Sequence, residues 1–417
     1  MRHLLIIPFL LASAVGAVPA LAQTAPAPAP ATPPSNPAGL ITPYGDFRLR
    51  HEFVEQAGLP DDAHATTLRA RLGVRVSPVS GLTAVIEGEA IAALDNALYN
   101  DTTNGVGRRP VVADPPDILL NQAYLRWQGG PKLTATVGRQ AVNYDNQRWI
   151  GSVGWRQNDQ TLDAVQISIE PAPGQPIAAS FAHAWRVNRV FGPDSPQGVW
   201  RDTAISMARV GVRVADGHNA LAFGYWLDVP AAPSLSSQTL GARISGGAAL
   251  APGWRGLYAL EYARQTPHGG NLATSAHTYL LVEPGVSHGP TTLKLGYERL
   301  SGDGRTALQT PLATLHAFNG WADKFLTTPA GGLRDVYVDV GHIFPKATPA
   351  IGGASLRIAF HDFRSTRGDL HYGREWNVMA AYPVAPWLTG MIKAARYKAD
   401  TFGADTTKVW AQLEARF

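Results

Sequence analysis

Apolar and polar residues alternate with period two along most of this chain, and that pattern constrains its fold more than any other feature. Between Thr67 and Ser77, the set Leu68, Ala70, Leu72, Val74 and Val76 interleaves with Arg69, Arg71, Gly73 and Arg75. Successive side chains of a strand point to opposite faces, so such a segment is a strand with a different solvent on each side. The pattern returns at Leu293, Leu295 and Tyr297 against Lys294, Gly296 and Glu298, and at Val336, Val338 and Val340 against Asp335, Tyr337 and Asp339. It is cleanest at the end of the chain. There Val409, Ala411, Leu413, Ala415 and Phe417 share one face, and Lys408, Trp410, Gln412, Glu414 and Arg416 the other.

Eighteen such segments can be marked, from one starting near Tyr44 to one starting near Thr406, each long enough for a tilted membrane-spanning strand of ~9–11 residues. The seventh, near Pro176, and the tenth, near Gln238, are the least regular, and the fifteenth is placed from Ala350. Connections after even-numbered segments are short, for example Pro78 to Gly81, Pro345 to Pro349 and Pro383 to Trp387. All the long ones follow odd-numbered segments: Asn96 to Asp117, Asn143 to Gln160, Asn188 to Asp202 and Ser301 to Leu333. An even strand count with short periplasmic turns and long outer loops is the pattern of bacterial barrels. One miscounted strand would break this parity downstream, and it holds to the end. The expected fold is a transmembrane antiparallel β-barrel of about eighteen strands.

The chain start fits export. A basic start at Arg2 and His3, an apolar run from Leu4 to Val18 and small residues at Ala20-Leu21-Ala22 read as a secretory signal peptide over residues 1–22. Residues 23–40 alternate Ala and Pro and lack the bulk to offset ordering entropy, which leaves a flexible leader before a barrel over 41–417. The chain has no cysteine, which excludes disulfides, thiolate catalysis and cysteine metal sites. A closed sheet needs none of these, because closure pairs every backbone group.

Arginine outnumbers lysine by 29 to 7. Many arginines lie on the polar phase of strands, and Arg48, Arg50, Arg69, Arg71 and Arg75 are the candidates for lumen-facing charge. A guanidinium offers a fixed fork of donors suited to carboxylates and phosphates and stays charged when partly desolvated. Two readings follow: an anion-favouring pore lining, or a rigid wall in which these arginines pair with Asp46, Glu52, Glu87, Glu89 and Asp335. Two connections are long enough to be functional. The first concentrates Arg139, Asp145, Arg148, Trp149, Trp155 and Arg156. The second runs from Ala307 to Phe325 and carries apolar positions that a solvated tip would not need, so it reads as an ordered lid or plug containing His316, Trp321, Asp323 and Lys324.

The same two loops carry a family resemblance. The first block comprises Gly138-Arg139-Gln140, Gln147-Arg148-Trp149-Ile150-Gly151, Trp155-Arg156-Gln157-Asn158 and Thr161-Leu162-Asp163-Ala164. It resembles the signature of the alginate export family of outer-membrane proteins. The block from His316 to Phe325 is similar to that family's second loop. The resemblance implies an eighteen-stranded monomeric barrel that passes an anionic uronate polysaccharide through an arginine-lined pore. It carries over Arg139, Arg148 and Arg156 as candidate pore or constriction residues, with Asp145 and Trp155 beside them. It also implies that the terminal Phe417 is read by the barrel-assembly machinery. The expected partners are an anionic saccharide or small anionic solute and outer-membrane lipid, with no cofactor, no metal and no nucleic acid. A general diffusion porin is the nearest alternative. The rival from another class is a barrel enzyme using Asp61, Asp62 and His64 on the first outer loop, but the chain has no Gly-x-Ser-x-Gly elbow.

Overall fold

The structure is a computed structural model that describes residues 40–130, 132–171 and 176–417. The expected signal peptide and all but the last residue of the leader lie outside the described residues. The strands are β1 (Ile41–Gln56), β2 (Ala63–Val79), β3 (Leu82–Ala93), β4 (Asp117–Gly129), β5 (Leu133–Gln140), β6 (Thr161–Ile169), β7 (Ile177–Asn188), β8 (Val199–Trp200), β9 (Ala204–Ala215) and β10 (His218–Asp228). They continue with β11 (Ser237–Ala251), β12 (Trp254–Pro267), β13 (His277–His288), β14 (Thr291–Leu300), β15 (Leu333–Ile343), β16 (Ser355–Arg364), β17 (His371–Ala385), β18 (Leu388–Ala399) and β19 (Thr406–Arg416).

The two-residue β8 belongs to an outer loop, and the other eighteen strands form one wall. Each pairs antiparallel with the next, β7 with β9 across the β8 loop. The wall closes where β19 pairs with β1, from Asp46↔Arg416 to Gln56↔Thr406. Closure leaves no edge with unpaired backbone groups, the condition for a sheet in hydrocarbon. Most strand starts agree with the alternation to within three residues. The fifteenth wall strand, β16, begins at Ser355 rather than near Ala350, because residues 344–354 form a longer turn than the prolines suggested.

The two phases of the alternation separate as their chemistry requires. On β2, Thr67, Arg69 and Arg71 point inward and are buried, while Leu68 and Leu72 point outward and are exposed. Trp127, Trp254, Tyr382, Trp387 and Phe417 ring the outer surface at the short-turn end, the position of an interfacial aromatic girdle. Phe417 stacks on Phe47 at 5.7 Å beside the closing seam.

Candidate functional site

The two long loops, 141–160 between β5 and β6 and 301–332 between β14 and β15, turn into the barrel and pack against each other. Gly151 N–H donates to Leu312 O (2.8 Å), Thr314 N–H donates to Gln147 O (3.0 Å), and Gln160 Nε2 donates to both Gly151 O and Leu312 O. Leu308, Leu312, Trp321 and Phe325 join Trp149 and Ile150 in one buried apolar cluster with inward residues of the wall. The apolar positions of the second loop are buried for this reason. The turns are tight: Asp145, Gln147, Val153, Asn319 and Asp323 all have positive φ. For the β-branched Val153 this is strained backbone, tolerated where surrounding contacts fix it.

An irregular loop inside a barrel must find partners for its carbonyls away from water. The inward arginines supply them. Arg48 Nη1 donates to Gly154 O (3.0 Å) and Arg156 O (3.1 Å) while its Nη2 holds Glu414 at 2.9 Å. Arg71 donates to Gln157 O (3.1 Å) and pairs with Asp159 and Glu89. Arg69 pairs with Asp46 and Glu414. Arg50 holds Gln412 and places its guanidinium 4.2 Å from the Trp155 ring. Five donors on one side chain let one residue hold a carboxylate and several carbonyls at once, which lysine cannot do. Arg75 lies nearer the short-turn end, over Tyr44. The predicted charge pairing is therefore present at Asp46 and Glu89, whereas Glu52 takes Arg156 and Lys408, Asp335 takes His361, and Glu87 takes Asn121 and Gln122.

Not all the sequence-derived residues come together. Arg148 is buried and donates to Glu298 (2.7 Å), Thr310 (3.2 Å) and Asn319 (3.2 Å), tying the first loop to β14 and to the second loop. Arg156 pairs with Glu52 (3.4 Å) on β1 and Asp323 (3.0 Å) on the second loop. Arg139 is elsewhere. It follows Val137 on the outward phase of β5, between the buried Thr136 and Gln140, and binds Asp163 in a fork (2.7 and 3.0 Å). The register runs unbroken through Gly138, so Arg139 continues the outward phase of Ala135 and Val137. Asp145 pairs with Arg209 on β9. On the first outer loop, Asp61 pairs with Arg108, Asp62 O accepts from Arg109, and His64 packs on Phe53, so the three do not converge.

Where the two loops meet, residues of both matched blocks gather around Lys393, which no motif announced. Lys393, fully buried on β18, places Nζ 3.8 Å from the Trp155 ring centroid and 3.9 Å from that of Trp321. It donates to His316 Nε2 (2.7 Å), so the imidazole carries its proton on Nδ1, facing Asp323 Oδ1 at 2.7 Å. His316 stacks on Trp155 at 4.4 Å and 3°. Asp323 also accepts from Lys408 (2.7 Å), and Lys324 donates to Gln56 (2.8 Å). Ala322 N–H donates to the buried Glu375, which anchors the loop on β17. Only the inward phase of Lys393 and Lys408 was visible in sequence. Below the loop tip, Phe318 and Trp321 cap a cavity of about 30 Å³ against Glu283, Tyr337 and Arg357, room for about two waters.

Burial holds the His316 imidazole well below its ordinary range, with Lys393 adding to the effect against the opposing pull of Asp323. Burial would raise the Asp323 carboxyl, but His316, Lys408 and Arg156 beside it hold it well below the usual carboxylate range. Burial, with Lys408 nearby, also pushes Lys324 down to about 8. The signs for the first two agree. An undocked loop takes up a proton on His316 below pH ~6.5 and on Asp323 below ~4, and the docked loop resists both. The His316 and Asp323 contributions to docking are therefore fully present above pH ~6.5 and weaken as pH falls, and the lowered Lys324 acts in the same direction at higher pH. We expect single-channel current to rise between pH 7 and 4.5, with the upper part of the rise reduced in His316→Gln. A current flat over that range would show that these groups do not hold the loop.

The closed wall, the two solvents on its faces and the inward loops define an outer-membrane β-barrel of the porin type. The alginate export family model matches residues 46–191, from β1 to just past β7, which includes the first loop block. Together with the shared fold, this match supports an alginate-export-type outer-membrane barrel. Among solved structures, OpdK of Pseudomonas aeruginosa with vanillate aligns at a TM-score of 0.70 and 12% identity, over 90% of this chain and 98% of that one. OccK9 (OpdG) of the same organism aligns at 0.70 and 13%, over 91% and 100%. OccAB3 of Acinetobacter baumannii aligns at 0.70 and 11%, over 90% and 99%. At these identities the likeness shows the fold. No curated protein matches the sequence.

Proposed function

We propose that the protein is a loop-gated outer-membrane passage for anionic solutes, with acidic oligosaccharides such as those of alginate as the substrate class. One observation carries this reading. Arg48, Arg50 and Arg69 are fully buried on the inward face of β1 and β2, yet Arg48 Nε, Arg50 Nη1 and both Nε and Nη1 of Arg69 have no hydrogen-bond partner among the described residues. Asp114 stands 3.9 Å from Arg50 Nη1, outside hydrogen-bond reach. Buried donors left free in a lumen wall are receptive to a carboxylate once the loops that cover them move aside. The carboxylates opposite, Asp46, Glu52 and Glu89, favour the second reading, a general diffusion porin with a balanced wall.

Reversal potentials in a planar bilayer distinguish the two. A unit charge ~6 Å from a permeating ion contributes about 0.7 kcal/mol in water, with opposite sign for anion and cation, so Arg69→Gln should lower the anion-to-cation permeability ratio about tenfold. Arg139→Gln, on the outer face, should leave that ratio unchanged. Block of the current by alginate oligosaccharides tests the substrate class separately. A wild-type channel without ion preference and without such block would leave the general porin standing. The outward aromatic Phe417 remains, by the resemblance, the group we assign to the assembly machinery.

A further inference from the structure

The outer surface of the barrel is apolar over most of its height, but not at the long-loop end of β12 to β18. There Arg264, Arg299, Arg334, Arg364, Arg374 and Lys398 all fall on the outward phase. Their register makes them neighbours. Arg299 lies directly across from Arg334, Arg334 across from Arg364, and Arg374 across from Lys398. Like charges directly opposite on adjacent strands are destabilising unless something of opposite sign sits between them.

The protein supplies that only in part. Asp369 takes Arg334 and Arg364, Asp362 takes Arg364 and Arg374, and Asp405 takes Lys398. Arg299 donates to the hydroxyl of Thr278, and neither it nor Arg264 has a carboxylate partner among the described residues. Arg374 and Lys398 keep 60% and 74% of their side-chain surface open despite their carboxylates. Immediately toward the middle of the membrane the same phase turns apolar, with Val336, Val338, Trp376 and Val378 exposed. Arginine stems on such a surface run along it and present their charge at the headgroup level. At the same end of β3 and β4 the outward residues are Leu94 and Ile118, each more than four-fifths exposed, and on β5 to β7 the outward Arg139 and Arg186 share Asp163, so the row of directly facing cations is the one on β14 to β18.

We infer that this row is a docking surface for a phosphate-bearing glycolipid of the outer leaflet, of the lipid A type, whose phosphates bridge Arg299, Arg334 and Arg364 while its acyl chains lie on the valine and tryptophan surface beneath. The chemistry matches at both levels. Guanidinium forks take phosphate oxygens in pairs, and a basic row above an apolar face selects an amphiphile over a free anion. The inference rests on the class of barrel and not on what passes through its lumen, and it would stand if the transport reading failed.

The test uses the full chain purified in a neutral detergent, with lipid binding measured by native mass spectrometry. Wild type should hold bisphosphorylated lipid A about tenfold or more tightly than Arg299→Gln/Arg334→Gln/Arg364→Gln. Monophosphorylated lipid A should fall between, and Lys346→Gln in the turn between β15 and β16, at the opposite end of the barrel, should match wild type. Binding to wild type should weaken as salt rises from ~0.05 to ~0.5 M, a measurement that needs no variant. Heat-modifiable gel mobility reports whether each variant keeps its barrel, and Arg299→Gln alone replaces the triple variant if it does not. Equal affinity in the folded variant, equal affinity for a phosphate-free analogue, or indifference to salt would each overturn the inference. So would a row that instead holds two copies of this chain together, seen as a dimer lost in the variant with lipid binding unchanged.

Discussion

Lys393→Met is expected to release both inner loops at once and to raise the single-channel current. The ammonium touches the rings of Trp155 from one loop and Trp321 from the other, and donates to His316 from the second. Each desolvated cation–π contact is worth about 2 kcal/mol. Leaving His316 Nε2 buried without a donor costs about 1–3 kcal/mol. Together, about 5–7 kcal/mol shifts the docked-to-undocked ratio by roughly four to five decades. Methionine keeps most of the stem volume, and the ladder of β18 to β17 and β19 stays intact, so the wall should fold normally. Amide exchange over residues 146–160 and 313–325 should accelerate together with the current. If neither moves, Lys393 is a passive wall residue and the loops are held by other contacts.

The second large effect is expected at Arg148. Its guanidinium is the cation facing Glu298, which otherwise accepts from the neutral groups Tyr279 (2.7 Å) and Asn319 (2.6 Å). Removing one partner of a buried pair leaves an uncompensated charge, at a cost of about 3–5 kcal/mol. Arg148→Met should therefore loosen both loops, and limited proteolysis within 301–332 should quicken by about two decades or more. Arg148→Met/Glu298→Gln removes the stranded charge and should recover at least about 1 kcal/mol of that loss. Additive behaviour in this cycle would mean that the 2.7 Å contact contributes no coupling. Arg148 is thus a structural tie between the loops, and its effect on ion preference should follow loop opening.

These effects mark the boundary between what local pattern contains and what it does not. Strand number, closure parity and the lipid-facing phase follow from period-two alternation. Each strand position reports its own solvent, so residues such as Leu68 and Arg69 disclose their faces without reference to the rest of the chain. The two inward loops were also legible, because Leu312 and Phe325 have no place on a solvated tip. What the sequence left open was pairing. Arg48 meets Glu414 and Arg156 meets Asp323 across separations of 366 and 167 residues, set by where the wall closes and where the loops descend. A run of arginines on one phase looks the same whether it lines open water or grips a loop. Only the folded structure decides between these, because the carbonyls and carboxylates that occupy the donors come from elsewhere in the chain. Arg139 shows the same limit at its smallest scale: it shares the phase of Val137, and only the folded structure discloses that its partner is Asp163 on the neighbouring strand. The sequence by itself determined the barrel and which elements enter it. The tertiary structure decided which charges remain free inside it, because pairing depends on distances that only closure of the wall sets.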